Sequence, residues 1–211
     1  DAISATILDA VQRLPVEAMF VASSGAATKA TDPCASPAMR LYGQMKLDDE
    51  DRFAAWALDN GRRAVIGRIF NITGPYINKH QAYAIANFIM DALAQRPIEV
   101  RAPREVFRTY VAIRELLSLI FALMADEGAS LARFDSGGDR MELGAVAAVV
   151  SATLGGPPVA RAAITEARAD DYAGDGAAYA RLLERYGISS VPLDRQILET
   201  AEYMHALGHQ G

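Results

Sequence analysis

Tyr42-Gly-Gln-Met-Lys46 sets a tyrosine and a lysine four residues apart, and on a helix that spacing puts both side chains on one face. A phenol with an ordinary pKa of about 10 exchanges protons at neutral pH only beside a cation that favours its phenolate. Lys46 is such a cation. Ser24, just after the apolar run Met19-Phe-Val-Ala22, offers a hydroxyl to hydrogen-bond a substrate oxygen. The pair is weak evidence alone, because Tyr-x-x-x-Lys also occurs on solvated helix faces. Its meaning depends on the elements that carry it.

Apolar residues Ile3, Ile7, Leu8, Val11 and Leu14 recur at helical spacing and stop at Pro15, which predicts a helix ended by proline. Met19 to Ala22 reads as a short buried strand, running into the turn Ser23-Ser24-Gly25 and a small-residue loop that lasts to Pro37. A long helical pattern spans Met39 to Asn60 and closes at Asn60-Gly61. Arg63 to Phe70 is a second buried strand, broken by a loop at Asn71-Ile-Thr-Gly74-Pro75. This alternation of helix and strand argues for a parallel sheet. Beyond it the pattern predicts a helix over Ala82 to Ala94, strands at Ile98 to Arg101 and Val106 to Val111, and a helix from Glu115 to Met124. A strand at Leu131 to Phe134, a turn at Asp135 to Gly138 and a helix from Met141 to Leu154 follow. Helices at Gly176 to Tyr186 and Arg195 to Leu207 close the chain.

The 211 residues carry 21 Lys plus Arg against 26 Asp plus Glu, a net charge of −5 that weighs against nucleic-acid binding. Hydrophobic residues make up 51% and charged residues 22%, enough to bury a core and to exclude disorder as the main state. No uninterrupted apolar run reaches the roughly 18 residues of a membrane span, so no membrane partner is expected. One cysteine, Cys34, rules out an intramolecular disulfide framework, and with three histidines it leaves no Cys-rich zinc site. A reducing, cytoplasmic compartment is expected. No metal is expected either.

Three further segments stand in order around the Tyr/Lys pair: Phe20-Val-Ala-Ser-Ser24 before it, Arg68-Ile-Phe-Asn71-Ile-Thr-Gly74-Pro75 after it, and Arg108-Thr-Tyr110-Val-Ala-Ile-Arg-Glu115 later. Together they resemble the extended short-chain dehydrogenase/reductases, specifically the nucleotide-sugar epimerase/dehydratase family, over nearly the whole chain. Thr109 and Glu115 depart from the family's version of the last segment. Asp135-Ser-Gly-Gly138 followed by Glu142-Leu143 also looks like the family's Asn-x-Gly turn and next helix.

The resemblance implies an α/β fold: a Rossmann-like doubly wound parallel sheet over residues 1–75, without its N-terminal part. Residues 76–211 would form mainly a smaller mixed α/β substrate-binding domain, with some segments returning to the first. Tyr42 would be the general acid/base, Lys46 would bind the nicotinamide ribose, and Ser24 would polarise a sugar hydroxyl or carbonyl. Ser23, Phe70, Gly74 and Pro75 would lie with Tyr42 and Lys46 against NAD or NADP. Asn71 and Arg108 would meet the nucleoside-diphosphate sugar, Arg108 at the diphosphate, where a guanidinium fork suits phosphate oxygens. His80-Gln-Ala-Tyr-Ala-Ile-Ala-Asn87 looks like the family's sugar-nucleotide-binding loop and helix, which adds His80 and Asn87 to the substrate set.

Two departures narrow the reading. None of the 16 glycines falls in the Gly-x-x-Gly-x-x-Gly pattern that carries the cofactor pyrophosphate, so roughly the first third of the nucleotide-binding domain is expected to lie outside this chain. Ser24 is followed by Gly25-Ala26 where sugar dehydratases of the family carry Asp-Glu. Dehydration is therefore disfavoured, leaving an epimerase or a 4-ketoreductase. A non-catalytic sugar-nucleotide-binding module, or an inactive fragment of such an enzyme, is the alternative. The segments Ala2 to Leu14 and Met39 to Asn60 match the helices through which family members pair, so a homodimer is expected.

Plainer roles are expected elsewhere. In Asn78-Lys79-His80-Gln81 an exposed loop histidine competes with the substrate role, and His205 and His209 are expected to be exposed near the C-terminus. Most of the run Asp48-Asp-Glu50-Asp51 reads as a solvated face, although family members often carry a glutamate at the Glu50 position. Tyr76, Tyr83 and Phe88 could stack on a base or sugar, or belong to the core.

Overall fold

The computed structural model describes residues 2–77 and 80–208. In chain order the first half holds α1 (Ala2–Arg13), β1 (Ala18–Ser24), a 3-10 turn (Gly25–Lys29), α2 (Pro37–Asp59), β2 (Arg63–Ile69), β3 (Asn71–Thr73) and α3 (Ala84–Leu93). There follow β4 (Ile98–Val100), β5 (Val106–Arg108), β6 (Tyr110–Ala112), α4 (Ile113–Ala125), β7 (Leu131–Asp135), β8 (Met141–Glu142) and α5 (Leu143–Leu154). β9 (Val159–Arg161), β10 (Asp170–Tyr172), α6 (Gly176–Arg185) and α7 (Leu193–Gly208) complete it.

β1, β2 and β7 form a parallel sheet with β2 in the middle. The centre of β2 is an unbroken buried run, Ala64 to Gly67, as a parallel strand covered on both faces requires. Its period of two sends Ala64 and Ile66 towards α1 and α2, among Phe53, Trp56 and Ala57. Val65 points the other way, among Leu116, Leu119 and Ile120 of α4 and Tyr179 and Leu183 of α6. The sheet is thus doubly wound. A second lobe packs α3, α5 and α7 together over Ile85, Ile89, Val146, Val150 and Ile197. Its strands pair as β3 with β6, β4 with β9, and β5 with β10 on one side and β8 on the other.

Several expectations shift. Asn71–Thr73 is not loop but β3, parallel to β6 with Asn71 opposite Tyr110. Val106 to Val111 is not one strand: it divides at Thr109 into β5, which pairs with β10 and β8, and β6, which pairs with β3 in a different sheet. The loop after Ser24 begins as a 3-10 turn. Asp135 ends β7 rather than opening a turn, and Met141–Glu142 pairs as β8 before α5 begins. β9 and β10 had no apolar alternation to announce them. Remaining differences at helix ends stay within about two residues, the usual latitude of fraying termini.

Candidate active site

Ser24 ends β1 and caps the 3-10 turn, its Oγ accepting from the Ala26 amide at 3.2 Å. α2 starts at Ser36, whose side chain accepts from the Met39 amide, with Pro37 in the first turn where its missing N–H costs nothing. The helix crosses the 3-10 turn at Gly43, where a Cβ would run into the Ala26 carbonyl. This close approach brings Tyr42 and Lys46 to the C-terminal end of β1. Lys46 Nζ donates to the Ala22 carbonyl at 3.3 Å and lies 5.9 Å from the centroid of the Tyr42 ring. Tyr42 is 45% exposed, open to an incoming ligand.

The sequence did not foretell Tyr172. Its hydroxyl stands 3.3 Å from Ser24 Oγ, although 148 residues separate them. Its ring packs at 4.9 Å on Phe70, which in turn fills the space left by Gly25. Burial pushes the Tyr172 hydroxyl above the ordinary tyrosine value; the nearby Tyr42 adds to this and the Ser24 contact opposes it. Tyr172 is therefore a neutral hydroxyl at neutral pH. The Arg108 guanidinium sits 5.9 Å over the same ring.

Asn71 donates to the Thr109 carbonyl at 2.9 Å, tying β3 to the step between β5 and β6. Gly74, at φ 109° in the region that favours glycine, donates its amide to Thr200 of α7 at 2.8 Å. Thr73 donates to Gln196 of the same helix at 2.5 Å, so the Gly74-Pro75 loop hangs from α7. The Ser23 hydroxyl is committed to Glu50 at 2.5 Å, which leaves its backbone for any cofactor contact.

Arg108 and Asn71 line one cavity of about 190 Å³ with Tyr83, Tyr110 and Leu143. A neighbouring cleft of about 530 Å³ is lined by Lys29, Arg104, Arg108, Arg168 and Tyr172 among others. Arg108 also donates to Asp170, at 2.9 Å to the carboxylate, so part of its charge is balanced within the protein. Asn87 stands apart from these: it donates to the Gln81 and Tyr83 carbonyls and lines a separate cleft beside Asp91 and Arg96. No contact draws His80 to Ser24 or Tyr42 among the described residues. It is half-buried rather than exposed, and its Nε2 has no hydrogen-bond partner among the described residues.

The remaining expectations divide. Asn78, Lys79 and His209 lie outside the described residues. His205 is exposed, within α7. Phe88 is core, whereas Tyr83 is 46% exposed and Tyr76 is 79% exposed, facing the Tyr203 ring. Glu50 departs from the solvated reading of its acidic run: it is 1% exposed. Among the described residues no group of three or more His, Cys, Asp or Glu side chains is suited to a metal ion. No helix among them is long and apolar enough to cross a membrane.

The NAD dependent epimerase/dehydratase family matches residues 2–135, well over half of the chain, and the chain belongs to that family. No curated protein matches it. Among solved structures it is similar to the UDP-N-acetylglucosamine 4-epimerase of Methanobrevibacter ruminantium M1 in complex with UDP-N-acetylmuramic acid. That likeness has a TM-score of 0.76 at 15% identity, over 97% of this chain and 68% of the other. The UDP-glucuronic acid 4-epimerase of Bacillus cereus in complex with UDP-glucuronic acid and NAD gives 0.75 at 15%, over 98% of this chain and 67% of the other. RMD from Pseudomonas aeruginosa complexed with NADPH gives 0.72 at 17%, over 97% and 71%. These likenesses establish the Rossmann-like α/β fold expected from the sequence.

Proposed function

We propose that this chain is the catalytic and substrate-binding part of an NAD(P)-dependent nucleotide-sugar oxidoreductase, an epimerase or 4-ketoreductase. The supporting observation is the meeting of Ser24, Tyr42 and Lys46 at the C-terminal end of β1. In open α/β sheets ligands bind beyond the carboxyl ends of the strands. NAD and NADPH are bound in solved structures similar to this chain, and the residues here fit such a group: an ammonium and a phenol for ribose hydroxyls, and a glycine loop buried against α7.

A nicotinamide cofactor would supply the hydride acceptor or donor. The chain's own residues handle the oxygen and its proton. Ser24 hydrogen-bonds the reacting sugar oxygen, and Tyr42 takes its proton on oxidation and returns one on reduction. Lys46, with its ammonium beside the Tyr42 ring, stabilises negative charge as the proton leaves. Asn71 and Arg108 share a cavity suited to the rest of a nucleoside-diphosphate sugar, Arg108 at the diphosphate. Gly25 and Ala26 are buried in the 3-10 turn, so no carboxyl follows Ser24 to eliminate water. This supports epimerisation or reduction over dehydration.

Residues 1–75 would carry most of the cofactor-side lobe, with later segments returning to it. A homodimer fits the same reading: Ile3 and Ile7 of α1 and Leu41 and Met45 of α2 are exposed apolar pairs, each at i, i+4 spacing. In the full-length enzyme, Tyr42→Phe is expected to lower turnover by about 10²- to 10⁴-fold, the usual worth of a positioned acid/base. Nucleotide-sugar binding, read by calorimetry, should persist. Unchanged turnover would overturn the assignment.

A further inference from the structure

Glu50 is the most deeply buried carboxylate of the described residues, and nothing in the proton transfer above uses it. Both of its oxygens accept from Arg68, from Nε and from Nη2, each at 2.8 Å. Oε1 also accepts from the Ser23 hydroxyl at 2.5 Å. Arg68 and Ser23 are register partners on β2 and β1. Glu50 thus clasps two neighbouring strands at one level of the sheet.

That level is the site's own. Tyr42, Lys46 and Glu50 follow one another at i+4 steps along one face of α2. Lys46 donates to the carbonyl of Ala22, and Glu50 binds the next residue, Ser23; Ser24 follows. We propose that Glu50, held by Arg68 and Ser23, is a positioning residue that fixes the register of the Tyr42/Lys46 face of α2 against the Ser24 end of β1. The inference rests on the catalytic reading above and adds to it the means of alignment.

The physical reason is directional. The apolar contacts of α2, at Phe53 and Ala54 against Val21 and Ile66, hold the helix to the sheet but tolerate small slides and rotations. A buried carboxylate does not. Turning α2 by one residue would swing Glu50 by about 100°, away from the guanidinium fork of the half-buried Arg68, and strand a buried carboxylate without its partner. Fixing register is the best-attested use of such pairs, since an apolar pair of similar volume often holds a fold together equally well. The other charges near the clasp are Arg133, towards Glu50, and Asp135 and Asp51, towards Arg68.

The test replaces both partners by apolar residues, Glu50→Leu with Arg68→Met, in the full-length enzyme. The expected result is a melting temperature close to the parent's with kcat lower on the order of 10²-fold and KM nearly unchanged. Recovery of parental kcat together with parental stability would overturn the proposal. Where the pair variant does not fold, Ser23→Ala serves instead: a loss of kcat at unchanged KM supports the clasp, and parental kcat overturns it. Hydrogen exchange on the full-length protein provides a readout free of turnover. Faster exchange at residues 22–24 and 42–46 in the pair variant supports positioning, and unchanged protection overturns it. An enzyme inactive on every nucleotide sugar would sink the catalytic reading alone, with the exchange experiment still deciding the role of Glu50.

Discussion

Ser24 meets a hydroxyl of its own chain before it meets any substrate. Tyr172→Phe keeps the ring packed on Phe70 and removes only the oxygen beside Ser24, so a stability change of about 0.5–1.5 kcal/mol, the worth of one hydrogen bond, is expected in urea melts. A much larger loss would mean that the contact holds the lobes together. Glu115 provides a second test at this scale. Burial raises its carboxyl above the ordinary glutamate value, against the pull of the Val191 amide at 2.5 Å, the Tyr179 hydroxyl and Arg114. The folded state binds that proton more tightly than the unfolded chain. Its contribution to stability is therefore full below the ordinary value and lost as pH rises through the raised one. Glu115→Gln keeps an acceptor for Val191 and removes the charge, so it should stabilise the fold at mildly alkaline pH and change little in acid. Equal effects at both would refute the assignment. Glu50 behaves in the opposite sense: although burial raises it, Arg68 and Ser23 hold it below the ordinary value, and its contribution is lost as pH falls through the lowered value. That Tyr42 and Lys46 share one face of a helix was legible because their spacing is local. Tyr172 and the hold of Thr200 on Gly74, 126 residues away, depend on contacts that no local pattern encodes.

At the scale of elements, α2 and the 3-10 turn beneath it are mutually dependent. Helix propensity alone would favour Gly43→Ala by about 0.8–1 kcal/mol. The added Cβ, however, meets the Ala26 backbone carbonyl, which cannot swing aside like a side chain. Overpacking of this kind costs about 1–3 kcal/mol, so a net loss of stability is expected, with Tyr42 and Lys46 displaced from Ser24. A more stable variant would show that the turn yields. The helices and the long strands were legible because apolar periodicity marks them over many residues. β3, β9 and β10 were not: each has three residues, too few for a period, and β10 reads Asp-Asp-Tyr, with no apolar alternation. The division of Val106 to Val111 at Thr109 was hidden for a different reason. Both halves look like strand, and only their partners differ.

Over the whole molecule, the exposed apolar pairs on α1 and α2 set the expected assembly. Ile3→Glu with Leu41→Glu should convert a dimer to a monomer in sedimentation velocity without lowering the melting temperature, because Ile3 is 77% and Leu41 67% exposed in the single chain. A parent that is already monomeric would refute the pairing. The fold class was legible at this scale, since alternating helices and strands leave few ways to cover a sheet. The weave of the two lobes was not. After β2 the chain leaves the three-stranded sheet for β3, comes back with α4 and β7, leaves again through β8 and α5, and comes back once more with α6 before ending in α7. Each lobe is sewn from pieces that are distant in sequence, and neither is a bead that could be cut from a string. A single protease nick in the segment between β4 and β5 would leave two fragments that share both cores. They should travel together on a sizing column and part only in denaturant, so an intact elution volume would say nothing about an intact chain.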